Sequence, residues 1–198
     1  MFNQSFKKVL FASLTLLFLA CSVFTPKSTV PTPSAADIER EEQAVYSFFV
    51  SGSTGTVLIL QNTSTNIPSK NPQQTIDYIK SGLKSLSKET FDNYLARNAN
   101  PSPLSLDMDL GVKYVLLSED ELHKITSQPN WGDVLTEKYP GSHGYTVFSR
   151  VGFNNSLDQA VIYVGKMAAP LMGTGDYYLM EKKNGNWVIK EQVMVWIS

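Results

Sequence analysis

Few residues of this chain are equipped for chemistry, and they are scattered. His143 lies in "YPGSHGY" (139–145), a Gly-rich loop that sets it beside Ser142 and six residues before Ser149. A histidine beside serines is the minimal equipment of a serine hydrolase, in which the imidazole takes the hydroxyl proton. The spacing of a nucleophile elbow, G-x-S-x-G, needs glycine where Pro140 stands, and it needs a strand where a helical segment precedes the loop. Glu119 and His123, four apart, share a helix face. A zinc helix of the His-Glu-x-x-His kind needs a second histidine there, so a solvated pair is the expected use. Asp107 and Asp109 in "LDMDLG" lack the third oxygen ligand and the later glutamate of a calcium loop. The chain has one cysteine, Cys21, which excludes an internal disulfide and a CxxC redox pair. With no phosphate loop or dinucleotide fingerprint either, no cofactor and no metal are expected.

Two side chains remain as ligand-binding candidates, Arg150 and Tyr163. Arg150 follows Phe148 on an expected strand, and a guanidinium grips an anion with two parallel hydrogen bonds. The ordinary use of such an arginine is a cross-strand ion pair, here with Glu181 or Asp176. Tyr163 belongs to the neighbouring strand, so the open end of that sheet is the default ligand site. The formal net charge is −1, with 17 basic and 18 acidic residues. That balance excludes nucleic acid as a partner.

The elements that position these residues begin after a leader. Lys7 and Lys8 precede an uncharged apolar run over 9–20, which as a helix would rise only about 18 Å, short of the roughly 30 Å bilayer core. Residues 1–20 read as a signal peptide. The ending Phe18-Leu19-Ala20-Cys21 resembles a bacterial lipobox, with phenylalanine where leucine is usual. The resemblance implies that Cys21 is acylated and becomes the new N-terminus, anchoring the chain to a membrane. Ser22 follows in place of the aspartate of inner-membrane retention, which implies the outer membrane in a Gram-negative host. Residues 21–36, rich in Pro, Ser and Thr, read as a tether. In polyproline geometry the tether reaches roughly 45 Å.

Residues 37–198 read as one α+β domain. Helices are expected over 36–50, 73–86, 88–97 and 130–139, with Ser118 and Glu121 at capping-box spacing starting another. The acidic start of the first helix suits the positive end of its dipole. "TVLIL" (56–60) and 112–117 read as strands, and 146–153, 159–165, 176–182 and 187–197 as an antiparallel meander. Asn184-Gly185 marks the last hairpin. The architecture expected is N-terminal helices packed on a C-terminal antiparallel β-meander of about four to five strands, NTF2-like or cystatin-like by analogy only. The apolar "KMAAPLMGTG" (166–175) either folds back on the sheet as a lid or presents its methionines to a partner.

"SRVGFNNSLDQAVIYVG" (149–165), followed by "GTGDYYLMEKKNGNWVI", resembles a family of bacterial secreted proteins with no assigned activity. The shared features are SRVGFN, QA, YV, G-x-G and NG-x-W. Some relatives carry a cysteine pair where this chain has Ala168 and Met172, so it lacks whatever that pair would lock. The functional expectation is an envelope-anchored, non-catalytic module that binds a small ligand or an envelope protein. The alternative is a small secreted hydrolase using His143.

Overall fold

The computed structural model describes residues 32–65, 67 and 70–198. Cys21, the signal segment and most of the tether lie outside the described residues. The domain is α+β, with five helices and a seven-stranded mixed sheet among the described residues.

The first helix, α1 (Ala35–Val50), starts from a full capping box. Ser34 Oγ accepts from the Asp37 backbone N–H, and Asp37 reaches back to the Ser34 N–H. Strand β1 (Val57–Leu60) follows, then α2 (Pro72–Gly82), α3 (Lys88–Arg97), β2 (Tyr114–Leu117), α4 (Glu119–Thr126) and α5 (Trp131–Lys138). Ser118 caps α4 by accepting from the Glu121 N–H at 3.2 Å. The Glu121 carboxylate does not close a capping box. It accepts from Lys138 and from Tyr139 at 2.5 Å, tying α4 to the end of α5. The meander comprises β3 (Tyr145–Phe148), β4 (Gly152–Phe153), β5 (Gln159–Ala169), β6 (Met172–Lys183) and β7 (Asn186–Ile197). Asn184 and Gly185 both take positive φ, 52° and 82°, as a type I′ turn requires.

Strand order is β2-β1-β3-β5-β6-β7, with β4 paired to β5. The meander is therefore one side of a larger sheet. The strands β1 and β2 extend it beyond β3 by parallel pairing, Leu58 opposite both Val115 and Tyr145. Helix α1 covers one face over a core of Val45, Phe148, Val151, Ile162 and Met180. On the other face α2 and α3 pack over Val161, Tyr163, Tyr177 and Leu179. Leu58, Leu117 and Leu135 form a third cluster under α4 and α5.

One expected strand is broken. Residues 146–153 do not run continuously, because the chain leaves the ladder at Ser149. Its N–H donates to the Tyr163 carbonyl at 3.0 Å, while its hydroxyl accepts from the Tyr163 N–H at 2.9 Å. The Ser149 carbonyl is thereby free to accept the buried Tyr46 hydroxyl at 3.0 Å. Strict alternation puts Phe148 and Val151 on opposite faces. The break instead turns Phe148, Val151 and Phe153 into the same core under α1.

Candidate functional site

Two cavities lie along α1, one at each end. The first, of about 570 Å³, includes Arg150, Arg97, Glu42 and Tyr46. Arg150 lies at the strand break, not on a strand, and neither Glu181 nor Asp176 is its partner. Glu42 of α1 is. The Glu42 side chain is buried, and its Oε1 accepts from Arg97 Nη2, Arg150 Nε and the Val151 N–H, each at 2.9 Å. Its Oε2 meets Arg150 Nη2 at 2.7 Å. Burial works against the Arg150 charge, but the hydrogen bond and charge of Glu42 outweigh it and raise the guanidinium's pKa. Burial, reinforced by the Glu42 charge, lifts the Tyr46 hydroxyl well above its ordinary range. The arginine fork is thus filled by a carboxylate of its own chain. Neighbouring Glu41 does similar work on the sheet, pairing with Lys182 at 2.6 Å and accepting from Trp187 Nε1 at 2.9 Å. Acidic residues that suited a helix dipole are tertiary clamps.

Tyr163 lies on the opposite face of the sheet from Arg150's partner, so the two candidates do not share a site. Its hydroxyl accepts from Trp196 Nε1 at 2.8 Å, and its ring packs against Tyr177 with centroids 5.4 Å apart. Burial raises its pKa. The indole of Trp196 fits because Gly175 has no side chain; a Cβ there would sit 2.0 Å from Nε1. The second glycine of the G-x-G motif is a packing notch.

The second cavity, of about 720 Å³, opens beyond the C-terminus of α1, where the helix ends before the sheet does. Thr146, Lys166, Thr174 and Ile197 are neighbours across β3, β5, β6 and β7, and they line its floor on the face that α1 covers elsewhere. Phe49 closes the helix side, packed on Tyr178 at 4.8 Å. Ser53, Thr54 and Thr56 come from the loop between α1 and β1, and His143 from the loop before β3. The two loops touch backbone to backbone at Gly55, whose φ is +94° and where a Cβ would lie 2.2 Å from the Gly141 carbonyl oxygen. Among the described residues, no aspartate or glutamate side chain lines this groove. Lys166 is exposed, and no carboxylate of the described residues pairs with it. Burial raises the pKa of Tyr145 at the rim. Asp176, two residues along β6 from Thr174, is buried and accepts from Gln192 at 2.9 Å, outside the lining.

The "KMAAPLMGTG" segment is not a lid. The strands β5 and β6 run on through it to a tight turn at Pro170-Leu171, where Leu171 takes a φ of 58°. Leu171 and Met172 are left 83% and 63% exposed at the groove's mouth.

His143 is exposed in this groove. Neither serine offered as its nucleophile is placed against it. Ser142 Oγ is buried with no hydrogen-bond partner among the described residues, and Ser149 Oγ is held between the Arg150 carbonyl and the Tyr163 N–H. Glu119 accepts from Asn62 at 3.2 Å rather than meeting His123. Asp107 and Asp109 are exposed on either side of buried Met108. Among the described residues, no three His, Cys, Asp or Glu side chains gather to hold a metal ion, and no helix is long and apolar enough to cross a membrane.

Glu42 and Lys166 were both missed as site residues by sequence reasoning. The usable signal for Lys166 was a lone cation in the otherwise uncharged, largely apolar tip of the hairpin, residues 166–175. No protein-family model, curated protein or solved structure matches the chain.

Proposed function

We propose that residues 34–198 form a ligand-binding module of the bacterial cell envelope, held to the membrane by acylation of Cys21, and that the ligand occupies the open-end groove. The observation that carries the reading is the groove itself. Its volume of about 720 Å³ falls within the range of small-molecule sites. It combines apolar walls, several hydroxyls and an unpaired lysine. The Arg150 cavity has less to offer a ligand, because its guanidinium fork already holds Glu42.

Two experiments test this. Cys21→Ser should abolish incorporation of labelled palmitate and release the protein from bacterial membranes; unlabelled wild-type protein would overturn the anchor. A panel of small envelope-derived molecules, titrated into labelled domain, should shift the amide resonances of Thr146, Lys166 and Thr174. Shifts confined to Arg97 and Arg150, or none across the panel, would overturn the groove.

The exposed imidazole of His143 on the same groove favours one second reading, a small secreted hydrolase. His143→Ala separates the two. An enzyme would lose turnover of an ester probe, and a binding module would keep its ligand.

A further inference from the structure

We infer that the groove takes an anionic amphiphile, one carboxylate or phosphate headgroup on a single aliphatic chain. This rests on the groove being the ligand site and goes further by naming the chemistry.

The headgroup end is defined by charge. Lys166 is the one Lys, Arg, Asp or Glu side chain in the lining, and no carboxylate of the described residues pairs with it. It stands in the floor between Thr146 and Thr174, its direct neighbours across the sheet. An ammonium flanked by two hydroxyls supplies a point charge and hydrogen-bond donors to an oxyanion. A cationic headgroup would meet Lys166 with no Asp or Glu side chain in the described lining.

The tail end is defined by exposure. Ile197 on the floor is 71% exposed, and Leu171 and Met172 at the mouth are more than half exposed. Phe49 also lines the groove. Ile197 is the neighbour of Thr174 across β6 and β7, and Leu171 and Met172 stand at the turn that ends β5 and opens β6. An aliphatic chain laid along them would cover apolar surface that the fold leaves in water, and methionine adapts to chains of different length. An inorganic anion would satisfy Lys166 and leave this wall bare.

The test uses the purified protein with decanoate, decyl phosphate, 1-decanol and inorganic phosphate as probes, read by calorimetry. Decanoate and decyl phosphate should both bind, and decanoate should bind more tightly than octanoate by roughly fourfold per added methylene. Decanol should bind at least tenfold more weakly, roughly what a hydrogen-bonded charge contributes, and inorganic phosphate, which lacks the chain, should also bind at least tenfold more weakly. Lys166→Glu should weaken decanoate at least tenfold with an unchanged melting temperature, and Leu171→Asp at the exposed turn should reduce the gain per methylene. Decanol binding as tightly as decanoate, or a Lys166→Glu variant binding decanoate like the wild type, would overturn the anionic class. If decanoate fails while other molecules still shift the groove resonances, the class falls and the groove stands. If nothing perturbs the groove, both fall.

Discussion

Helix α1 has a cation in the cavity at either end, and the two are used differently. At its first half, Arg150 is locked to Glu42 on both carboxylate oxygens, with Arg97 and the Val151 N–H completing the set. Past its last residue, Lys166 stands in the floor of a larger groove, and no carboxylate of the described residues pairs with it. A guanidinium whose fork is already filled holds elements together. An ammonium facing open volume is available to something from outside. Residue type alone favoured the arginine as the ligand-binding side chain, and the fold fills its fork with Glu42.

The sharpest way to break this contrast is to empty the closed cavity. Glu42→Ala leaves two arginines and the Val151 N–H without their shared acceptor, and removing one partner of a buried ion pair costs about 3–5 kcal/mol. For a domain of this size that corresponds to a melting temperature lower by roughly 6–20 °C, read by thermal denaturation. An unchanged melt would mean that the Glu42 cluster is not structural. Gly55→Val acts on the open cavity. It demands a β-branched residue at positive φ and a Cβ 2.2 Å from a backbone carbonyl, so a loss of about 2 kcal/mol or more is expected. The same variant should disturb ligand binding, because the loops it separates carry the groove's hydroxyls. Gly185→Val is a control away from both cavities. Its φ of 82° predicts a loss above about 1 kcal/mol with binding intact; an equal loss of binding would mean the groove responds to any loss of stability.

The smallest effect is in pH. The Ser34 hydroxyl, and then Arg40, hold the Asp37 carboxyl below its ordinary value. A depressed carboxylate pKa stabilises the fold above the unfolded value, and the contribution disappears as pH falls through the folded value. Melts of wild type and Asp37→Asn should therefore differ at pH 7 and converge as the pH drops toward 3. A difference that grows in acid would contradict the capping box.

The meander was legible because its signals are local. Alternating β-branched and aromatic residues mark the strands, and Asn184-Gly185 marks the turn. "TVLIL" was equally readable as a strand, but nothing local says that it pairs in parallel with residues 114–117 and extends the sheet. The Glu42–Arg150 pair spans 108 residues, and acidic residues opening a helix are equally explained by its dipole. Ser34 was hidden because a serine in a Pro/Ser/Thr-rich stretch is compositionally part of a linker. The break at Ser149 was invisible because its hydroxyl replaces a carbonyl in the ladder, and no alternation pattern records that. The open end of the sheet was expected to hold a ligand beside Arg150 and Tyr163, but neither residue lines the groove. A groove floor needs strand register, and register across β3, β5 and β6 comes only from the assembled sheet.

The most direct test of the account sets the two cations against each other. Decanoate isotherms would be recorded for Arg150→Ala and Lys166→Ala at a temperature where both remain folded. The account predicts that Arg150→Ala binds within about twofold of the wild type, and that Lys166→Ala binds at least tenfold more weakly, about 1.4 kcal/mol. The reverse pattern, with Arg150→Ala losing the ligand and Lys166→Ala keeping it, would contradict the account and return the site to the Glu42 cavity.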